Sequence, residues 1–313
     1  MAACAAAYLY SQQKGIPREI VVAALPAFLA EVALYMLPGF AGVRRAIAGL
    51  PRAMVPVLLA LAAIVPYALA SVALGSFRLA SLAAIAGLAA AISFWYAVFR
   101  PGLIADLLFL GVIGSVFLSR VFHLLYPAPV HGVPFDILGR LMWVHTGIIV
   151  VLCIRGLEAG FGFVPSTREW GIGILFAAAF VPVGFLLGYW LRAAHWHPVV
   201  ALSWKLPLLI LGRFLGILWV VALTEEFFVR GFLQQILVRT MRSDAGAIAV
   251  TSLIFGALHL PFVAFPNWRF AILAAVAGAF YGVAFVKGRG IRAPMVAHAL
   301  VVTTWQLLFN ARG

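Results

Sequence analysis

The sequence predicts an all-α fold, a polytopic transmembrane helix bundle of about ten spanning helices. Three observations carry that expectation. Of the 313 residues, 65% are hydrophobic and only 10% charged, with a mean hydropathy of +1.11; soluble domains carry about 25% charged residues. The apolar residues fall in continuous runs of about 20, the length a helix needs to cross hydrocarbon. The arginines gather in short loops between those runs, where they orient the chain and meet anionic headgroups. A β-barrel is excluded, because the runs are continuous rather than alternating and too long for strands.

Taken in order, the runs lie near 20–37, 53–75, 79–99, 103–125, 137–155, 171–191, 207–231, 245–262, 268–287 and 293–310. Residues 1–13 carry no side-chain positive charge ahead of their short apolar stretch, so no cleaved signal is expected. The breaks at 75–79 and 99–103 contain Gly75, Arg78, Arg100 and Pro101. They read as tight hairpins, and one re-entrant member would lower the count towards eight. The segment 156–170, with Glu158, Arg168 and Glu169, is expected along the membrane interface. Gly184/Gly188, Gly212/Gly216 and Gly278/Gly282 form Gly-x-x-x-Gly pairs in the sixth, seventh and ninth runs, a spacing that lets helix backbones approach in lipid. Residues 1–155 hold little polar content beyond Glu31, Asp106 and Asp136, and read as a supporting or partner-binding module. Residues 156–313 carry the polar residues and read as the functional core.

Charge placement gives an orientation. Arg44, Arg45 and Arg52, then Arg239 and Arg242, then Lys287, Arg289 and Arg292 follow the first, seventh and ninth runs. These densest basic clusters belong in the cytoplasm, with the N-terminus outside. The net charge of +13 resides in such loops. No basic–aromatic cluster points to nucleic acid. Cys4 and Cys153 match no metal or redox spacing. Abundant Ala, Arg, Gly and Pro, with three lysines among 22 basic residues, point to a GC-rich bacterial genome and the bacterial cytoplasmic membrane.

The sharpest feature is Thr224-Glu225-Glu226-Phe227-Phe228-Val229-Arg230 inside the seventh run. A carboxylate at mid-bilayer costs roughly 2.5–3.5 kcal/mol even on the lenient insertion scale, and intramembrane ionisable groups usually line a pathway or a reaction site. Glu226 and Arg230 are four apart, so on a helix they share a face in the favourable acid-first order. Glu225 points about 100° away and has no partner in sequence. The expectation is a structurally paired Glu226 and a Glu225 available as a base.

Two histidines fit the same site. His259 follows Phe255 by four residues, with Pro261 just beyond; His298 follows Pro294 by four, in the first turn of the last run. A neutral imidazole there could donate a hydrogen bond or bind a metal. Each alone would more often be a satisfied core residue; beside two glutamates they weigh more. His195 and His197 flank Trp196 as an interfacial belt. His123, His131 and His145 have no carboxylate or cysteine at ligand spacing. The His-Glu-x-x-His spacing, Gly-x-Ser-x-Gly and a phosphate loop are absent.

Glu225-Glu226-x-x-x-Arg230, then Phe255-x-x-x-His259, then a late His298 resembles the CPBP family of intramembrane proteases. That family includes the CAAX prenyl endopeptidases and bacterial proteins linked to bacteriocin processing or immunity. The likeness covers residues 224–302. It implies an intramembrane endopeptidase cutting near the end of a membrane-associated or secreted precursor. Glu225 would be the general base that activates water. His259 would help hold that water or donate to the carbonyl, and His298 would stabilise the oxyanion. Glu226 and Arg230 would fix the helix and tune the base. No cofactor is favoured; zinc held by Glu225, His259 and His298, with an open position for water, is the alternative. Val302 stands where the family usually has Asn or Asp, with Thr303 next in line for that role. The partners implied are the lipid bilayer and a membrane-associated protein or peptide substrate. Two other classes stay open: a proton-coupled transporter, and a non-catalytic immunity or scaffold protein on the same fold.

Overall fold

The computed structural model of the chain describes residues 10–12, 14–128, 130, 133–197 and 206–311; Cys4 and His131 lie outside them. The chain divides into two compact units, Met1–Leu157 and Glu158–Gly313. The first holds α1 (Arg18–Met36), α2 (Ala41–Ala48), α3 (Met54–Ala73), α4 (Leu79–Ser93), α5 (Leu103–Leu118) and α6 (Asp136–Ile154). The second holds α7 (Thr167–Trp190), α8 (Leu206–Met241), α9 (Asp244–Leu258), α10 (Trp268–Gly288) and α11 (Arg292–Leu308). Each predicted run coincides with one of these helices. Among the described residues, six helices are long and apolar enough to cross a membrane: α1, α3, α6, α7, α8 and α10. Helices α4, α5 and α9 are apolar but only 15, 16 and 15 residues long. Fifteen residues reach about 22 Å against about 30 Å of hydrocarbon.

The shortfall from ten has a physical reason. Apolar side chains continue past the helix ends and lengthen the hydrophobic run without lengthening the helix. After α5 the chain breaks at Ser119 and Arg120 before a separate turn, Val121–Leu125. After α9 it leaves the helix ahead of Pro261. One further departure from pure helix is a three-residue antiparallel ribbon, β1 (Ala194–Trp196) with β2 (Phe309–Ala311).

In the first unit Glu31, Asp106 and Asp136 each meet a cation or a histidine. Arg155 Nε and Nη2 donate to Asp106 Oδ1 and Oδ2 at 3.0 Å each, and Tyr96 donates to the same carboxylate at 2.7 Å. Glu31 on α1 and His145 on α6 meet at 2.9 Å, both fully buried. His145 thus has a carboxylate partner that no local spacing announces.

The second unit is built around α10, which packs against α7, α9 and α11. Its core joins Ala177 and Phe180, Val229, Phe255, Ala277 and Tyr281, Ala297 and Val301. Small residues set the approach. A Cβ at Gly256 would stand 2.5 Å from the Ala271 carbonyl, and one at Gly173 2.8 Å from that of Ala293. The Gly-x-x-x-Gly pairs behave differently from one another. Gly212 and Gly216 face nothing within 4 Å among the described residues, whereas Gly278 and Gly282 lie against Arg230 and Gln234.

Part of the segment expected along the interface, residues 158–164, packs against other parts of the second unit. Residues Ala159, Phe161 and Phe163 are buried while Glu158 and Val164 are exposed. Its carbonyls are taken up by Ile291 N–H (Ala159, 3.0 Å), Gln235 (Glu158, 2.9 Å), Trp219 (Phe163, 2.9 Å) and Arg292 (Val164, 3.3 Å). Gly160, at φ +62°, crosses Gly290 so closely that a Cβ would stand 2.8 Å from the Gly290 Cα. Helix α7 starts at Thr167, four residues earlier than the hydropathy indicates. Ser166 and Glu169 form a reciprocal capping box, and Glu169 also pairs with Arg292 at 3.0 Å.

Candidate functional site

Helix α8 runs for 36 residues and carries Glu225 near its middle. It is not a uniform α-helix. The turn Leu223–Glu226 is α-helical, flanked by π segments Ile217–Ala222 and Phe227–Gln234. Such π turns concentrate at functional sites.

Glu226, Arg230 and Gln234 form a ladder down one face of this helix, all three fully buried. Arg230 Nη1 donates to Glu226 Oε1 at 3.0 Å, and Nη2 donates to the Gly278 carbonyl at 3.1 Å. Gln234 Nε2 donates to the Gly282 carbonyl at 3.2 Å. The guanidinium lies over the Phe255 ring at 4.4 Å and the Tyr281 ring at 5.4 Å. A buried charge needs such pairing, because an unpaired one carries a large desolvation penalty.

His298 joins the two glutamates. Its Nδ1 lies 2.8 Å from Glu226 Oε1, and its Nε2 lies 3.9 Å from Glu225 Oε2. Arg230 keeps Glu226 an acceptor, so Nδ1 carries the hydrogen of the shorter contact. The longer one exceeds a hydrogen bond. The Glu225 side chain is 32% exposed, yet its Oε2 is buried without a hydrogen-bond partner. Helix α11 begins at Arg292, so His298 stands in its second turn rather than its first.

His259 is the C-cap of α9. Its Nδ1 lies 2.8 Å from the Phe255 carbonyl. A carbonyl only accepts, so Nδ1 carries the hydrogen and a neutral ring keeps its lone pair on Nε2. The ring packs on Phe255 and Phe270 at 4.6 and 5.8 Å between centroids, and its hydrogen-bond partner is Phe255 rather than a glutamate. Among the described residues no three His, Cys, Asp or Glu side chains stand where they could hold a metal ion. Glu225, His259 and His298 are therefore not a ready-assembled zinc site. Thr303 is buried with its hydroxyl unpartnered.

Four of the five predicted residues, Glu225, Glu226, Arg230 and His298, are joined by polar contacts, and His259 is linked to them through the ring of Phe255. Sequence reasoning passed over Gln234 and Tyr281. Gln234 was findable, since it continues the spacing of Glu226 and Arg230 by four. Tyr281 offered a fainter signal, a phenol between Gly278 and Gly282 in an apolar helix.

Residues 207–304 match the family model described as Type II CAAX prenyl endopeptidase Rce1-like. The match starts in α8 and ends in α11, and it includes all of the residues above. No curated protein and no solved structure matches the chain.

Proposed function

On the premise that residues 207–304 belong to the Rce1-like type II CAAX prenyl endopeptidase family, a membership that implies a membrane protease, we propose that this chain is an intramembrane endopeptidase. It hydrolyses a peptide bond near the end of a membrane-associated or secreted precursor, in the cytoplasmic membrane of a bacterium. The observation that carries the reading is the gap between Glu225 Oε2 and His298 Nε2, 3.9 Å wide. Because Oε2 is closed off, a small parting of the two side chains is what would admit a single oxygen atom hydrogen-bonded to both at about 2.8 Å. The carboxylate oxygen facing it has no other partner.

A water held there gives its proton to Glu225 while its oxygen attacks the scissile carbonyl. The C–O bond forms, and Glu225 returns the proton to the leaving nitrogen as the C–N bond breaks. His298, oriented through Nδ1–H by Glu226, accepts the second hydrogen of the water at Nε2 and holds it for attack. Arg230 holds Glu226 in place. His259 enters only if substrate brings the peptide towards its Nε2.

Terminal-peptide mass spectrometry of cells carrying wild type, Glu225→Gln or His298→Ala tests this. The expected result is the same set of uncleaved precursors in both variants. Unchanged termini, with both variants folded in the membrane, would refute the protease reading. Loss of proton-coupled uptake instead would favour a carrier.

A further inference from the structure

We infer that Tyr281, seated between Gly278 and Gly282 on α10, is a positioning residue that fixes the plane of the His298 ring; its role in catalysis rests on the endopeptidase reading. The Tyr281 and His298 rings stack at 4.8 Å between centroids and 12° between planes. Phe255 closes the other approach edge-on, at 6.0 Å and 90°. A histidine tied at Nδ1 alone can still swing about that hydrogen bond. A parallel ring face removes the swing and aims Nε2 at Glu225. Both rings are almost wholly buried, so no solvent competes for the contact.

The glycines hold Tyr281 at the right height. Arg230 and Gln234 hang on the Gly278 and Gly282 carbonyls, one helical turn apart. A Cβ at Gly278 would stand 3.2 Å from Arg230 Nη2, and one at Gly282 3.0 Å from Gln234 Oε1. The two glycines therefore act less as a helix-packing motif than as a rail for two side chains of α8. That rail locks α10 against the Glu226–Arg230–Gln234 ladder in one register, with Tyr281 over the imidazole. The guanidinium shares both aromatic faces, so charge, ring and backbone form one unit.

The test uses full-length protein in lipid nanodiscs with nitrogen-15 histidine. Wild type should give one set of His298 ring-nitrogen signals, assigned by their loss in His298→Ala. Tyr281→Leu should broaden or split that set, and Tyr281→Phe should restore it. Against a precursor found by the terminal-peptide screen, Tyr281→Leu should lower kcat roughly 2- to 10-fold with KM unchanged, and Phe should rescue it. Unaltered His298 signals in Tyr281→Leu would overturn the inference. So would a Phe variant as defective as Leu, since the phenol oxygen and not the stack would then be at work. If Tyr281→Leu does not fold, Gly278→Ala replaces it: its methyl displaces Arg230 and should move the His298 signals through Glu226, and unmoved signals again overturn the inference. Signals that shift as expected in a protein that cleaves nothing would keep the positioning role and refute the protease reading alone.

Discussion

Replacing Arg230 by leucine should destabilise the second unit by about 3–5 kcal/mol, the cost of stranding one member of a buried pair. The structure supports the upper part of that range. Neither partner of the Glu226–Arg230 pair is exposed, so water cannot screen the carboxylate left behind. The variant also loses the bond to the Gly278 carbonyl, about 1 kcal/mol, and the cation–π contacts with Phe255 and Tyr281, about 1–2 kcal/mol when desolvated. The burial of the leucine side chain returns about 2 kcal/mol. The double variant Arg230→Leu/Glu226→Leu removes both charges, and it should cost only about 1–2 kcal/mol, since apolar replacement of a buried pair is often near neutral. Equilibrium unfolding of the purified protein in mixed detergent micelles, run as a double-mutant cycle, measures the coupling. An Arg230→Leu cost below about 1 kcal/mol, or single costs that simply add in the double variant, would refute the view that the two form a desolvated unit.

Three further outcomes follow from the same reasoning. Glu225→Gln should lower cleavage of the identified precursor by about 10²–10⁴-fold without lowering the unfolding free energy, because Oε2 has no hydrogen bond to lose and the neutral amide removes a costly carboxylate from the apolar bundle. His145→Leu should cost about 3–5 kcal/mol by stranding Glu31, and Glu31→Leu in the same chain should recover most of it, measured in the same unfolding assay. Gly256→Ala should cost about 1–3 kcal/mol, since its methyl would stand 2.5 Å from the Ala271 carbonyl and α9 and α10 would have to part; an unchanged unfolding midpoint would show that the helices are not in tight contact there.

Local periodicity announced much of this molecule. The runs located the helices, and the spacing of four between Glu226 and Arg230 foretold their bond. What the sequence did not announce depends on contacts between distant segments. His298 is attached to Glu226, 72 residues away, and His145 to Glu31, 114 residues away; no local pattern encodes either. The spacing of His259 from Phe255 returns its Nδ1 to the Phe255 carbonyl of its own helix, and Phe255 also packs against His298. Ser166 and Glu169 formed a readable capping box, passed over because their charge and polarity suggested an interfacial segment. The strap of residues 158–164 was hidden similarly, since its burial comes from contacts with distant residues such as Ile291 and Trp219 rather than from a local period.

The fate of the chain's nine acidic residues makes the case for Glu225 independently of any motif. Glu19, Glu158 and Asp244 are exposed, where water solvates them. Glu31 meets His145 at 2.9 Å; Asp106, Asp136, Glu169 and Glu226 each meet an arginine at 3.0 Å. Glu225 is the remaining one. Its nearest basic group is His298 Nε2 at 3.9 Å, and its inner oxygen is buried without a hydrogen bond. Pairing one more acid would have needed only one of the chain's 22 basic residues, and Arg230 lies five positions along the same helix. That arginine is committed to Glu226. A carboxylate kept short of its counter-charge inside an apolar bundle is costly. That cost supports the proposed role of Glu225 as the base, with the O–H of a water as the donor that its inner oxygen lacks.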